Sequence, residues 1–110
     1  MNRFEHYCIP VKEKPADADF VELIGVYVTD CNLHPLHFEF LYIPPENNIV
    51  PKELRTNTHI AFAVDNFDEI LHESEVLLQF ISPNDNVSRM AFINYHGAIV
   101  ELREVPAGTL

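Results

Sequence analysis

A chain of 110 residues, 47% hydrophobic and 22% charged, is long enough for one domain with one sizeable core and too short for two. That composition argues against disorder, and two cysteines, Cys8 and Cys31, are too few for a disulfide framework. The formal charge of −10, from 17 acidic against 7 basic residues, repels phosphate backbones and anionic lipid, which argues against nucleic acid and membrane surfaces as partners.

No apolar run approaches a membrane span, and residues 1–6 hold no stretch of signal-peptide length, so the expected setting is the reducing cytoplasm. Residues 4–11 read as an apolar strand that ends in a Lys-, Glu-, Pro- and Asp-rich loop over 12–19. Residues 20–29 are strand-like but contain Gly25, which predicts a bulge or a break into two pieces. Asp30-Cys31-Asn32-Leu33 makes a turn, and residues 36–43 form the next strand, stopped by Pro44-Pro45. Residues 46–57 are polar, carry Pro51 and read as a linker.

Residues 58–64 are apolar and β-branched, as in a strand buried on both faces. Asp65 then offers an N-cap, and Phe67, Ile70 and Leu71 share one face of a short amphipathic helix over about 66–73. Strands over 75–81 and 89–95 flank the turn-rich Ser82-Pro83-Asn84-Asp85-Asn86. His96-Gly97 joins the second of them to a strand over 98–105 in a tight hairpin.

The two halves repeat each other. Glu5-His6-Tyr7-Cys8-Ile9-Pro10-Val11 aligns with Thr58-His59-Ile60-Ala61-Phe62-Ala63-Val64, and Phe38-Glu39-Phe40-Leu41-Tyr42-Ile43-Pro44 aligns with Val100-Glu101-Leu102-Arg103-Glu104-Val105-Pro106. Each half opens on a strand bearing a His and closes on a strand bearing a Glu. The Glu follows the His by 33 residues in the first half and by 42 in the second, and the shortfall falls where a helix is expected. The first helix therefore reads as deleted.

Side chains alternate along a strand, so His6 and Cys8 share one side, as do His37, Glu39 and Leu41, and Ile99, Glu101 and Arg103. If the halves pack as pseudo-twofold partners, His6, Glu39, His59 and Glu101 converge on one cleft. Two imidazoles and two carboxylates suit a divalent ion such as Zn, Ni, Fe(II), Co or Mn. A carboxylate within Ile-Val-Glu-Leu or His-Phe-Glu-Phe that faces inward needs a partner, and a metal supplies one.

The stretch from His59 through Asp65 to Ile70, and the hairpin from Ala91 through Gly97 to Leu102, resemble the opening and close of a vicinal oxygen chelate module. That superfamily includes glyoxalase I, methylmalonyl-CoA epimerase, extradiol dioxygenases, fosfomycin-resistance enzymes and metal-free bleomycin-resistance proteins. The resemblance implies a single α+β, glyoxalase-like domain of paired βαβββ modules forming an open, curled mixed sheet. Module one spans about 3–45 and module two about 58–106. It also implies that the metal ligands fall on His6, Glu39, His59 and Glu101.

Two departures follow: His37, two residues before Glu39 on the same face, offers a substitute or supplement for it as a ligand, and the first module lacks its helix. A module without its helix leaves one wall open, or covered by a second subunit, so a homodimer is among the expectations. His34, His72 and His96 read as turn or helix-surface residues, while Tyr42, Tyr95, Arg89 and Arg103 are candidate polar wall groups. The function implied is a metal-dependent isomerase, lyase or dioxygenase acting on a small metabolite that chelates through adjacent oxygens. In it, Glu101 or Glu39 serves as general base. The competing expectation is a metal-free binding protein of the bleomycin-resistance type.

Overall fold

Eight strands make one mixed sheet in this computed structural model, which describes residues 2–110. They are β1 (Asn2–Val11), β2 (Asp19–Val21), β3 (Val26–Val28), β4 (Phe38–Tyr42), β5 (His59–Val64), β6 (Glu75–Ile81), β7 (Arg89–Tyr95) and β8 (Ala98–Glu104). Helix α1 (Glu53–Thr56) precedes β5, and helix α2 (Phe67–His72) follows it. The class is α+β, with few helices on an open, curled mixed sheet. Among the described residues, no helix is long and apolar enough to cross a membrane.

The strands lie in the order β2-β3-β4-β1-β5-β8-β7-β6. Counted outward from the central β1–β5 pair, each half runs first strand, fourth, third, second. β1 pairs parallel with β4 and β5 parallel with β8, while β1 and β5 run antiparallel. The register of β1 on β5 slips by one residue between Phe4 and His6. This bulge keeps Phe4 beside Phe62 and sets His6 opposite Ala61, with Glu5 as the extra residue.

Two apolar clusters lie on opposite faces of the sheet. On the concave side Cys8, Val26, Leu41, Leu54 and Phe92 pack together, with Leu78 and Phe80 against them. On the convex side of the second half Val64, Phe67, Ile93, Val100 and Leu102 form a cluster under α2. Arg89 holds that helix down: its guanidinium pairs with Asp68 of α2 and Glu104 of β8 and lies over the Phe67 ring. No helix lies between β1 and β2, and the aromatic rings of Tyr27 and Tyr42 pack together instead, with Phe20 beside Tyr27.

Gly25 makes the break expected in the 20–29 segment. Its φ of +69° closes a turn from β2 to β3, and a Cβ there would meet the Asn47 amide nitrogen at 2.8 Å. His96 and Gly97 both have positive φ, as a two-residue hairpin turn of the mirror-image type requires.

Two local features go beyond the expectations, and the second corrects one. The segment expected as a linker is pinned: Leu54 of α1 is buried in the concave core, and Arg55 donates to the carbonyls of Ile43, Pro44 and Asn47. Asn47 in turn donates to the Ile24 and Gly25 carbonyls and accepts from the Ile49 and Val50 amides. Helix α2 starts one residue later than an Asp65 cap predicts. Asn66 holds the cap position, without a side-chain capping bond.

Candidate metal centre

The four central strands carry the four candidate ligands on their concave side. Register places them in two rows. His6 of β1 lies opposite Ala61 of β5, which lies opposite Glu101 of β8. Glu39 of β4 lies opposite Cys8 of β1, which lies opposite His59 of β5. Each row has an imidazole and a carboxylate two strands apart with a small residue between them. Neighbouring strands are about 4.8 Å apart, so only a small middle residue lets the outer pair meet. Ala61 is 1% exposed and Cys8 is fully buried.

The pairs do meet. His59 Nε2 lies 3.2 Å from Glu101 Oε1 in a hydrogen bond. His6 Nε2 lies 3.7 Å from the same oxygen and 3.5 Å from Glu39 Oε2. These two distances are charge contacts rather than hydrogen bonds, and His6 Nε2 is buried with no hydrogen-bond partner. The ligand atoms of His6, His59 and Glu101 all fall within 4.8 Å of one another, a spacing at which one ion could be held. Glu39 adjoins this trio through His6. The His59 ring is wedged edge-on against Phe92, and its Nδ1 is buried without a partner.

Burial and charge split the protonation of these groups. Burial lowers the His6 pKa, but Glu101, Glu39 and Glu5 outweigh it and lift the imidazole to about 9. Burial first, then the Glu101 charge, raises Glu39 to about 7. Glu101 is as deeply enclosed, yet the two imidazoles facing it hold its carboxyl well below the usual range. Burial pushes the Cys8 thiol far up, and Glu39 and Glu101 add to this, so Cys8 is a neutral thiol.

The other candidates lie elsewhere. His37 is not a substitute for Glu39: it precedes β4, is exposed, and its φ of +56° takes it out of the strand alternation. Its backbone carbonyl accepts from Tyr7 of β1. Arg89 and Tyr95 face the convex side, where Arg89 clamps α2 and Tyr95 bonds to Glu73. Tyr42 packs on Tyr27. Arg103 does border the site, forked onto Glu5 at 2.6 and 3.0 Å. His72 ends α2 and His96 sits in the hairpin, both exposed. His34 is half-buried, stacked on Phe38, with its Nδ1 accepting from the Leu36 amide.

Cys8 and Ala61 are the site residues that reading each strand alone passes over. The repeat alignment already pairs them, each two residues after its His. A cavity of about 890 Å³ opens where the β2 edge meets β6 and the following loop, lined by Phe20, Leu23, Val28, Phe80 and Ile81. None of the four candidate ligands borders it.

No protein-family model matches this sequence, and no curated protein matches it. Among solved structures, the chain is similar to the crystal structure of hypothetical protein BH1468 from Bacillus halodurans C-125. The TM-score is 0.60 at 16% identity, over 99% of this chain and 98% of that one. That likeness concerns the fold.

Proposed function

We propose that this chain is a divalent-metal-dependent enzyme of the vicinal oxygen chelate type, built from paired βαβββ modules of which the first lacks its helix. Its reaction is an isomerisation, elimination or dioxygenation of a small metabolite with adjacent oxygens. The observation that carries the reading is the convergence of His6, His59 and Glu101 around a buried, unpartnered His6 Nε2. Two imidazoles and a carboxylate, with Glu39 as fourth donor, suit Zn, Ni, Fe(II), Co or Mn. A bound ion supplies Lewis-acid stabilisation of negative charge developing on a substrate oxygen.

The chain's own residues divide the remaining work. Glu101, facing both imidazoles, stays an anion and fixes their orientation. Glu39, with its pKa near 7, is the carboxylate suited to take up and return a proton. Glu5 anchors Arg103 beside the site.

Elemental analysis after reconstitution tests the reading. Close to one ion per chain is expected, lost in His59→Ala and Glu101→Ala. A metal content near zero in the unaltered protein overturns it. The cavity at the β2–β6 opening, remote from the four ligands, favours a second reading as a metal-free small-molecule binder. Thermal stability indifferent to chelator but raised by an organic ligand would select that reading.

A further inference from the structure

The bulge in β1 stands beside the metal centre, and an ion pair closes on its extra residue. Ala63 of β5 is fully buried and lies opposite Arg103 of β8 on one side and Arg3 of β1 on the other. Arg103 reaches over this small residue to β1, where Nε and Nη2 fork onto the two Glu5 oxygens at 3.0 and 2.6 Å. Because Arg103 follows Glu101 by two residues, its path runs parallel to the row His6, Ala61, Glu101, one pleat further along. The two side chains are only 28% and 25% exposed, so solvent screens the pair incompletely. A forked guanidinium–carboxylate contact fixes orientation as well as distance.

Register shows what the pair selects. In an unbroken ladder from the His6–Ala61 pair, Glu5 would lie opposite Phe62 and Phe4 opposite Ala63. That one-residue slip would turn Phe4 to the concave side beside the ligands, and Glu5 to the convex side beside Phe62. The bulge reverses both: Phe4 packs edge-on against Phe62 at 6.4 Å, and Glu5 turns to Arg103. Bulges next to functional sites re-aim a side chain, at the cost of a locally disrupted ladder. The other half of the repeat is an internal control. It aligns Thr58 with Glu5 and Leu41 with Arg103. Leu41 is buried in the concave core and the Thr58 hydroxyl bonds to that of Tyr7, so these positions hold no ion pair. Beside His59 the β1–β5 register runs unbroken. Bulge and ion pair occur together at His6 and are absent together at His59.

We propose that Glu5 and Arg103 are positioning residues: their ion pair selects the bulged register of β1, which holds the His6 imidazole beside Glu101 and keeps the Phe4 ring off the ligand side. The consequence for metal affinity rests on the proposed metal centre, whereas the register itself is testable without metal. Charge and position predict opposite signs for one variant. Arg103 is a cation beside a cation site, so by charge alone its removal tightens metal binding. Loss of position loosens it.

Arg103→Gln and Arg103→Lys in the isotope-labelled full chain test the pair. NMR of the metal-free protein should show close contact between the Phe4 and Phe62 rings, and between the His6 ring and the Ala61 methyl. Both contacts should weaken in Arg103→Gln while those of Phe67 under α2 persist, which shows that the variant is folded. Arg103→Lys keeps the charge but not the fork, so it should fall between the two and carries the same test if Arg103→Gln does not fold. With Co(II) as the probe, Arg103→Gln should lose about 10–100-fold in affinity, the range for partners that orient metal ligands. Its visible absorption bands, which report ligand geometry, should shift and be partly restored by Arg103→Lys. Ring contacts unchanged in metal-free Arg103→Gln would overturn the proposal. So would Co(II) affinity equal to or tighter than that of the unaltered protein. An unaltered protein that takes up no Co(II) would overturn the metal reading alone, and the ring contacts would still decide the register.

Discussion

Loading the metal centre should expel protons, and by an amount the geometry fixes. The perturbation is a titration of the metal-free protein with Zn at a series of pH values. At pH 7 His6, held at about 9 by the carboxylates facing it, carries its proton almost completely. A metal needs the Nε2 lone pair, so that proton must leave. Glu39, at about 7, is about half protonated and gives up to about half a proton more if it ligates. The two-unit gap at His6 weakens binding at pH 7 about a hundredfold relative to the limit above pH 9, or about 2.7 kcal/mol. Affinity should thus rise about tenfold per unit from pH 7 to 9, and more steeply below 7, where Glu39 also competes. Calorimetry in buffers of different ionisation enthalpy counts the protons directly. Affinity independent of pH, with no buffer-dependent heat, would refute the geometry assigned to His6. A count of one proton at pH 7 without the extra fraction would leave His6 in place and remove Glu39 from the ligand set.

The metal-free protein should show the same groups in its stability. His6 has a raised pKa, so its contribution is complete below about 6.5 and is lost as pH climbs through about 9. That loss is of order 3 kcal/mol in urea titrations, and a flat profile over this window contradicts it. Ala61→Val should place two methyl groups between His6 and Glu101, cost about 1–3 kcal/mol, and abolish metal binding in a folded protein. Full metal content in that variant, measured beside its thermal melt, would show that His6 and Glu101 do not meet over Ala61. Phe67→Ala should cost about 3–5 kcal/mol, since the ring is 1% exposed beneath α2. A loss under about 1 kcal/mol on urea unfolding would mean that α2 is not anchored by this ring. Asn47→Ala removes two hydrogen bonds that tie the 46–57 segment to the β2–β3 turn and two more within the segment, with an expected loss of about 2–4 kcal/mol on urea unfolding. Unchanged stability there would assign the segment's order to Leu54 and Arg55 alone.

The limits of the sequence are visible in particular residues. Strands β6 and β7 keep their expected bounds because polar turn residues bracket them on both sides. Strand β1 begins earlier than its apolar run, because Asn2 and Arg3 find partners in Val64 and Ala63, residues far away in the chain. Helix α1 has only four residues and no propensity signal; it exists because Leu54 fills a place in the concave core. His37 misled for a related reason. Alternation assigns it the Glu39 face only if the strand includes it, and a positive φ ends the strand first. His59 and Glu101 were legible because each sits in a regular strand with apolar neighbours. Cys8 and Ala61 were not, since their role depends on cross-strand register.

The repeat also explains why two similar carboxylates differ chemically. Each half contributes a His, a small residue two positions on, and a Glu, so sequence symmetry alone would give Glu39 and Glu101 one role. The sheet breaks that symmetry. Glu101 Oε1 lies 3.2 Å from one imidazole and 3.7 Å from the other, whereas Glu39 meets only one of the two imidazoles, His6, at 3.5 Å. Two imidazole partners outweigh burial at Glu101, while at Glu39 burial and the neighbouring anion win. One carboxylate is thereby fixed as an anion and the other poised to change its protonation near neutrality. The proposed acid–base role needs such a pair, and the two halves supply it through the different contacts of their carboxylates.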